Sequence, residues 1–295
     1  MTEVHARARE HTSSELDRMI PDEAELTAGV RIEPGRSYGF FTDTTLCIGC
    51  KACEVACKEW NSLPADDVRL SGMSYDNTRR LSSTTWRHVA FIEQEVRDNA
   101  QPAFQGSWLM LSDVCKHCSP APCLEACPTG AIFRTEFDTV VVQQDICNGC
   151  GYCVPACPFG VVAMDDNDGK AHKCTLCYDR MKGGLEPACA KSCPTDSIQF
   201  GEVEALQAHA EKRVQELHDR GVAGARLYGT PGAEGATGGI RHLNANFLLV
   251  DRPEVYNLPA APSRPADRIA PALGSGLVAV AGLALAAFAL LGGRR

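Results

Sequence analysis

Sixteen cysteines lie in this 295-residue chain, all between Cys47 and Cys193, and they fall into four groups of four. The first group (Cys47, Cys50, Cys53, Cys57) and the third (Cys147, Cys150, Cys153, Cys157) both read C-x2-C-x2-C-x3-C. The second (Cys115, Cys118, Cys123, Cys127) widens the middle gap to four residues. The fourth (Cys174, Cys177, Cys189, Cys193) sets eleven residues between its two pairs. Pro128, Pro158 and Pro194 follow the last cysteine of groups two, three and four, and Lys58 stands there in group one. Thiolates at this spacing ligate [4Fe–4S] clusters. Three sulfurs on a tight loop serve one cube, and the fourth, opening a helix that leads away, serves its neighbour.

Two other uses of cysteine fit less well. Disulfides need Cα pairs about 4.4–6.8 Å apart, and a triplet of C-x2-C steps offers no pairing partner. Structural zinc takes four tetrahedral ligands from two knuckles, and a third cysteine overfills a knuckle. A structural zinc protein without redox activity stays as the alternative from another class, separable by metal analysis.

The elements that must position these sulfurs follow from the order of the groups. Groups two and three are separated by residues 128–146, room for a strand–turn–strand such as Ala131–Phe133 and Thr139–Gln143. They are expected to form one two-cluster module (115–157). Groups one and four, which flank it, are expected to form the other (38–114 with 158–200, including an insertion at 58–114). Crossing the fourth cysteines then gives four sites: Cys47, Cys50, Cys53 with Cys193; Cys57 with Cys174, Cys177, Cys189; Cys115, Cys118, Cys123 with Cys157; and Cys127 with Cys147, Cys150, Cys153. The repeats ACPTGAIF (126–133) and SCPTDSIQF (192–200), and CNGCGYCVPAC (147–157) and CIGCKACEVAC (47–57), support a duplication. Each Cys-Pro precedes a short apolar run suited to a strand, at Ala131–Phe133, Val161–Met164 or Ser197–Phe200. Lys58 in place of proline suits a longer helix after Cys57. The fold class predicted is therefore α+β: tandem ferredoxin-like modules, one nested in the other, plus one C-terminal membrane helix.

Lys51, Lys116 and Lys173 adjoin ligands and are candidates for raising cluster potentials by offsetting negative charge. His117 and His172 read as hydrogen-bond donors or surface residues, because cysteines already fill each site. Trp60, Trp86 and Trp108 read as core or interface aromatics. Burial, charge and backbone hydrogen bonds are the only devices the reading requires, and no residue is expected to act as acid, base or nucleophile.

Residues 1–37 form a polar arm without the apolar stretch of a secretory signal. Residues 202–220 carry Val203, Leu206, Ala210, Val214 and Leu217 at helical steps before Gly221, predicting an amphipathic helix. Five glycines between 228 and 239 mark a loop suited to contact a partner, and Asn246–Val250 reads as a strand. The tail 201–258 leads into a linker, 259–271. Residues 272–291 hold only Ala, Leu, Val, Gly, Ser and Phe, and 20 helical residues span about 30 Å, the thickness of a bilayer core. Flanking arginines (Arg264 and Arg268; Arg294 and Arg295) are balanced and leave the orientation open. The net charge of −8 argues against nucleic acid as a partner, since phosphate binding needs excess Lys and Arg.

The segments CIGCKACEVACKEWN (47–61) and CTLCYDRMKGGLEPACAKSCPT (174–195), the tail from Leu227 to RPEVYNLP (252–259) and the single C-terminal helix resemble the iron–sulfur (beta) subunit of membrane-associated formate dehydrogenases. These belong to the four-cluster ferredoxin subunits of molybdopterin oxidoreductases. The resemblance implies four [4Fe–4S] clusters and no substrate chemistry on this chain. It also implies a catalytic alpha subunit whose molybdenum or tungsten centre oxidises formate, and a cytochrome b gamma subunit passing electrons to quinone in anaerobic respiration. It further implies a cluster domain on the extracytoplasmic side, exported with the catalytic subunit. The nitrate-reductase type replaces one cysteine by tryptophan, whereas this chain keeps all sixteen. The alternative is the same relay for another molybdopterin reductase, of the polysulfide or dimethyl-sulfoxide type, or for a hydrogenase.

Overall fold

The computed structural model describes residues 31–65, 72, 76–93 and 108–292. Most of the N-terminal arm and much of the 58–114 insertion lie outside the described residues. A four-stranded sheet organises the molecule, built from β1 (Tyr38–Asp43), β9 (Ile198–Glu202), β10 (Arg226–Tyr228) and β12 (Ala245–Leu249), in the order β10-β12-β1-β9. Strand β1 precedes the first cysteine group and pairs antiparallel with β9, which follows the last, Phe40 facing Phe200. On its other edge β1 runs parallel to β12, with Phe40 opposite Ala245.

Alternation along the strands sends two sets of side chains to opposite faces. Tyr38, Phe40, Ile198, Phe200, Ala245, Phe247 and Leu249 join the main core, together with several cysteines. Phe41 and Leu248 point the other way, onto helix α6 (Val203–Asp219) through Leu206, Ala210 and Leu217. This is the amphipathic helix read from the sequence. It stops where Gly221 turns left-handed (φ 85°) and Val222 N–H bonds the Leu217 carbonyl.

The cysteine region has short elements. Helices α2 (Pro122–Glu125), α3 (Cys153–Ala156) and α5 (Ala188–Lys191) have four residues each, whereas α1 (Ala52–Trp60) has nine. The long one is the helix without the Cys-Pro stop, and proline is poorly tolerated beyond the first turn of a helix. A further helix, α4 (Tyr178–Lys182), fills the eleven-residue gap of group four. Hairpins β5–β6 (Ile132–Arg134, Val140–Val142) and β7–β8 (Ala163–Met164, Ala171–His172) follow groups two and three. A smaller core of Ala121, Cys123, Ile132, Val140, Cys153, Val162 and Ala171 sits between them.

Two connections were not visible in the sequence. Within the insertion, β2 (Arg87–Glu93) and β3 (Trp108–Val114) pair antiparallel and send Val89, Leu109, Leu111 and Val114 into the main core. The tail strand β11 (His242–Leu243) pairs with β4 (Cys118–Ser119) inside group two. The glycine loop curls over its own chain: Gly229 N–H bonds the Glu234 carbonyl and Gly235 N–H the Ala260 carbonyl. Of the core and interface roles open to Trp60, the core is ruled out: it is 42% exposed, with its indole N–H on Asp179 (2.8 Å) and Arg180 over its ring.

Helix α7 (Ile269–Gly292) leaves this body. Leu277, Val278, Leu283 and Leu285 are all more than 70% exposed, so no face of it is covered there by the described residues. It is the one described helix long and apolar enough to cross a bilayer.

Candidate metal centres

One backbone device recurs at the first C-x2-C step of each group. The residue before the second cysteine takes positive φ in all four groups: Gly49 (67°), His117 (45°), Gly149 (75°) and Leu176 (58°). Left-handed residues reverse the chain tightly and turn successive N–H groups inward, a concavity suited to anionic sulfur. Glycine adopts this freely, while Leu176 and His117 do so at a steric cost that the packing around them must offset. Gly149 carries a second demand, because a Cβ there would stand 2.3 Å from the Gly169 carbonyl oxygen.

The turns gather the sulfurs into quartets. Cys47, Cys50, Cys53 and Cys193 line a cavity of about 300 Å3 with Val89 and Ser112. Cys115, Cys118, Cys123 and Cys157 line one of about 310 Å3 with Lys116 and His117. Cys127, Cys147, Cys150 and Cys153 line one of about 280 Å3. The ionised sulfur of Cys57 is opposed by those of Cys174, Cys189 and Cys177, which marks the fourth gathering. In each quartet one cysteine comes from a different group than the other three, through the helix that carries it away from its own loop. We refer to them as the Cys50, Cys118, Cys150 and Cys57 quartets.

The donors ring a volume instead of meeting at a point. Among the described residues no three Cys, His, Asp or Glu converge as they would on one metal ion. A tetrahedral zinc, with Zn–S about 2.3 Å, requires such convergence. Sulfurs spread around a cavity fit a multi-iron cube.

Burial raises several of the thiols. It pushes Cys53, Cys123 and Cys177 up to about 12, and Cys118 and Cys174 well above their ordinary value. Four thiolates packed together in apolar surroundings are unfavourable without cationic partners. Iron supplies that charge when bound, and the protein supplies more. Cys127 differs, because burial is outweighed by the Thr129 hydroxyl and the N–H groups of Ile132, Thr129 and Ala131, which lower its pKa.

The predicted cationic residues are placed unequally. Lys51 reaches the carboxylates of Asp76 (3.3 Å) and Glu54 (3.5 Å). Lys116 is fully buried against Asp113 and the Val114 carbonyl (2.8 Å). Lys173 is also buried, but takes only the carbonyls of Val140 and Cys174 (3.0 Å), with no carboxylate among the described residues. Its charge stays uncompensated, and it acts on the Cys123 sulfur. His117 is buried, and burial together with Lys173 and Arg134 drives its pKa far down, so the ring is neutral. Its Nδ1 accepts from Val140 N–H (2.9 Å), so Nε2 carries the hydrogen; that nitrogen has no partner among the described residues and belongs to the ring lining the Cys118 cavity. An orphaned buried donor is costly, and cluster sulfide is the acceptor chemistry that suits it. His172 instead bonds Asp168 (2.9 Å) at the surface. Arg87, fully buried, was missed in the sequence because it lies in the insertion hairpin, away from any cysteine motif.

Paired loop-and-helix cysteine quartets in an α/β frame define a ferredoxin-type iron–sulfur protein, whose business is electron transfer. Residues 106–203 match the family model of the 4Fe-4S dicluster domain. The chain is 42% identical over 223 residues to the formate dehydrogenase iron–sulfur subunit of Haemophilus influenzae, covering 75% of this chain and 68% of that one. It is 42% identical to the formate dehydrogenase-O iron–sulfur subunit of Escherichia coli, over 75% of this chain and 70% of that one. A subunit of the E. coli anaerobic dimethyl sulfoxide reductase is 35% identical over 58% of this chain and 76% of its own length. The chain belongs to the family of formate dehydrogenase iron–sulfur subunits.

Proposed function

We propose that this chain holds four [4Fe–4S] clusters and relays electrons from a formate-oxidising molybdenum or tungsten subunit toward a membrane cytochrome b and quinone. When bound, each cluster takes up and returns one electron, at a potential the protein sets within about −700 to +450 mV. The residues proposed to hold them are the Cys50, Cys57, Cys118 and Cys150 quartets as gathered above.

The observation that carries the reading is the linear succession of the quartets. Helix α1 delivers Cys53 to one quartet and Cys57 to the next, so these two adjoin. Cys174 of the Cys57 quartet feels Cys115 of the Cys118 quartet. Cys123 of that quartet in turn feels Cys153 of the Cys150 quartet. Cys50 and Cys150 are the two exposed cysteines, one at each end. Such an order gives a relay two ports for partners and a shielded middle.

The nested arrangement is part of the proposal. The β1–β9 pairing supports an outer module built of groups one and four. Groups two and three share the smaller core with β7–β8, so the inner module extends to Ala171. Lys173 belongs to the machinery as a source of positive charge. Lys173→Met is expected to lower the potential of the Cys118-quartet cluster by about 59 mV, a tenfold change for one electron, in a potentiometric titration followed by electron paramagnetic resonance. An unchanged midpoint would remove Lys173 from that role.

We further propose that α7 anchors the chain in a bilayer, with the clusters on the extracytoplasmic side. Its all-round exposed apolar surface supports the anchor, since a helix apolar on every face needs apolar surroundings. Deleting 269–295 is expected to move the isolated chain from the membrane to the soluble fraction; retention without partners would contradict it. The reading as a whole is tested by purifying the complex anaerobically and adding formate. Bleaching of the cluster absorbance supports it, and a partner with a nickel site, or clusters indifferent to formate, overturns it.

A further inference from the structure

We infer that Arg87 is the shared counter-charge of the Cys50 and Cys57 quartets, raising the reduction potentials of the two clusters held there and not of the other two. This rests on the four-cluster reading above. Arg87 opens strand β2, and the period of two puts it on the same face as Val89, which lines the Cys50 cavity. The residue is 1% exposed. Its guanidinium lies over the Phe40 ring, 4.7 Å from the centroid. One nitrogen, Nη1, donates to the Ser112 hydroxyl (3.0 Å) and carbonyl (3.3 Å). The same hydroxyl lies 3.3 Å from the Cys53 sulfur.

The remaining nitrogens, Nε and Nη2, are buried without any hydrogen-bond partner among the described residues. A permanently charged group with two unmet donors and no carboxylate among the described residues is among the least favourable things a core can hold. Burial opposes its charge, yet the sulfurs of Cys189, Cys53, Cys174 and Cys57 outweigh burial and hold the arginine more firmly protonated. Cys53 belongs to the Cys50 quartet and the other three to the Cys57 quartet. The cation therefore sits where both clusters act on it. Each reduction adds a negative charge to a cluster, and a fixed cation in poorly screened surroundings favours that state. Lys116 and Lys173 supply positive charge at the Cys118 quartet, and Arg87 is their counterpart at the Cys50 and Cys57 quartets, delivered by the insertion hairpin.

The test is a potentiometric titration of all four clusters in the full complex, comparing the parent with Arg87→Gln and Arg87→Lys. In Arg87→Gln the reduction equilibria of the two clusters assigned by ligand variants to the Cys50 and Cys57 quartets should fall about tenfold, about 59 mV each for one electron. The other two should stay unchanged, and Arg87→Lys should lie nearer the parent than Arg87→Gln does. Unchanged midpoints, a uniform shift of all four, or a lysine variant shifted as far as the glutamine one would overturn the inference. If Arg87→Gln does not assemble, Arg87→Lys decides: assembly with near-parental potentials supports a charge role, and failure to assemble overturns it. A parent complex with fewer than four clusters would defeat the underlying reading instead, a result distinguishable by iron content before any variant is made.

Discussion

Cys57→Ser is expected to abolish the cluster of the Cys57 quartet while the loop that contains Cys57's own motif, Cys47 to Cys53, keeps its cluster. Reading by sequence proximity alone would give the opposite result. The reason is the direction of α1. Cys53 and Cys57 are one helical turn apart, and the helix carries Cys57 away from the loop to where the sulfurs of Cys174, Cys189 and Cys177 surround it. Cys47 meanwhile faces Cys193 and Cys50. Cys57 is 5% exposed in a packed region, so no outside ligand reaches the position of a lost sulfur. The variant should lose about four of its irons, one cube, and formate should no longer reduce the far end of the relay. Paired variants make the check decisive. Cys57→Ser and Cys174→Ser should erase the same paramagnetic signal, and Cys47→Ser and Cys193→Ser another. If Cys57→Ser and Cys47→Ser erase the same signal, the crossed assignment fails.

Gly39→Ala is the second large effect, and it acts on the frame. A Cβ at Gly39 would lie 1.7 Å from the carbonyl oxygen of Asn244 and 2.7 Å from its carbon. That carbonyl accepts the Phe40 N–H at 2.8 Å, and the Asn244 amide bonds the Asp138 carbonyl at 2.7 Å. The tail strand can therefore yield to a methyl group only by giving up its parallel pairing with β1 and its hold on the β5–β6 hairpin. Overpacking where side chains can move costs about 1–3 kcal/mol, and here the obstacle is backbone. A loss of about 3 kcal/mol or more is expected, read as a fall in the denaturation midpoint of the cluster absorbance. A variant as stable as the parent would mean that β1 and the tail are not packed this closely.

The local geometry of the candidate site was largely legible because it is carried by spacing in the chain itself. The Cys-x2-Cys turns, the short helices stopped by Pro128, Pro158 and Pro194, and the longer helix at Lys58 are local events, and local events leave local signals. Helix α6 and strand β12 were likewise visible through period and composition, within a residue or so of Val203–Asp219 and Ala245–Leu249. The long-range pairings were not. Strand β1 finds β9 about 160 residues away through side-chain packing, and nothing in YGFFTD names its partner. The β2–β3 hairpin lacks any cysteine, so reading outward from the cysteines passed over Arg87 and Ser112. Lys116 and Lys173 were selected by adjacency alone, and only tertiary packing separates Lys116, paired with Asp113, from Lys173, which meets no carboxylate among the described residues. The sequence leaves Trp60 between core and interface, and only the tertiary contacts with Arg180 and Asp179 place it at the surface.

The measurement that bears most directly on the relay is iron and acid-labile sulfide per chain in anaerobically purified protein, with zinc determined on the same sample. Four filled quartets require about 16 irons and 16 sulfides, with zinc near zero. About eight irons would leave half of the relay without carriers, and zinc in place of iron would make the quartets structural.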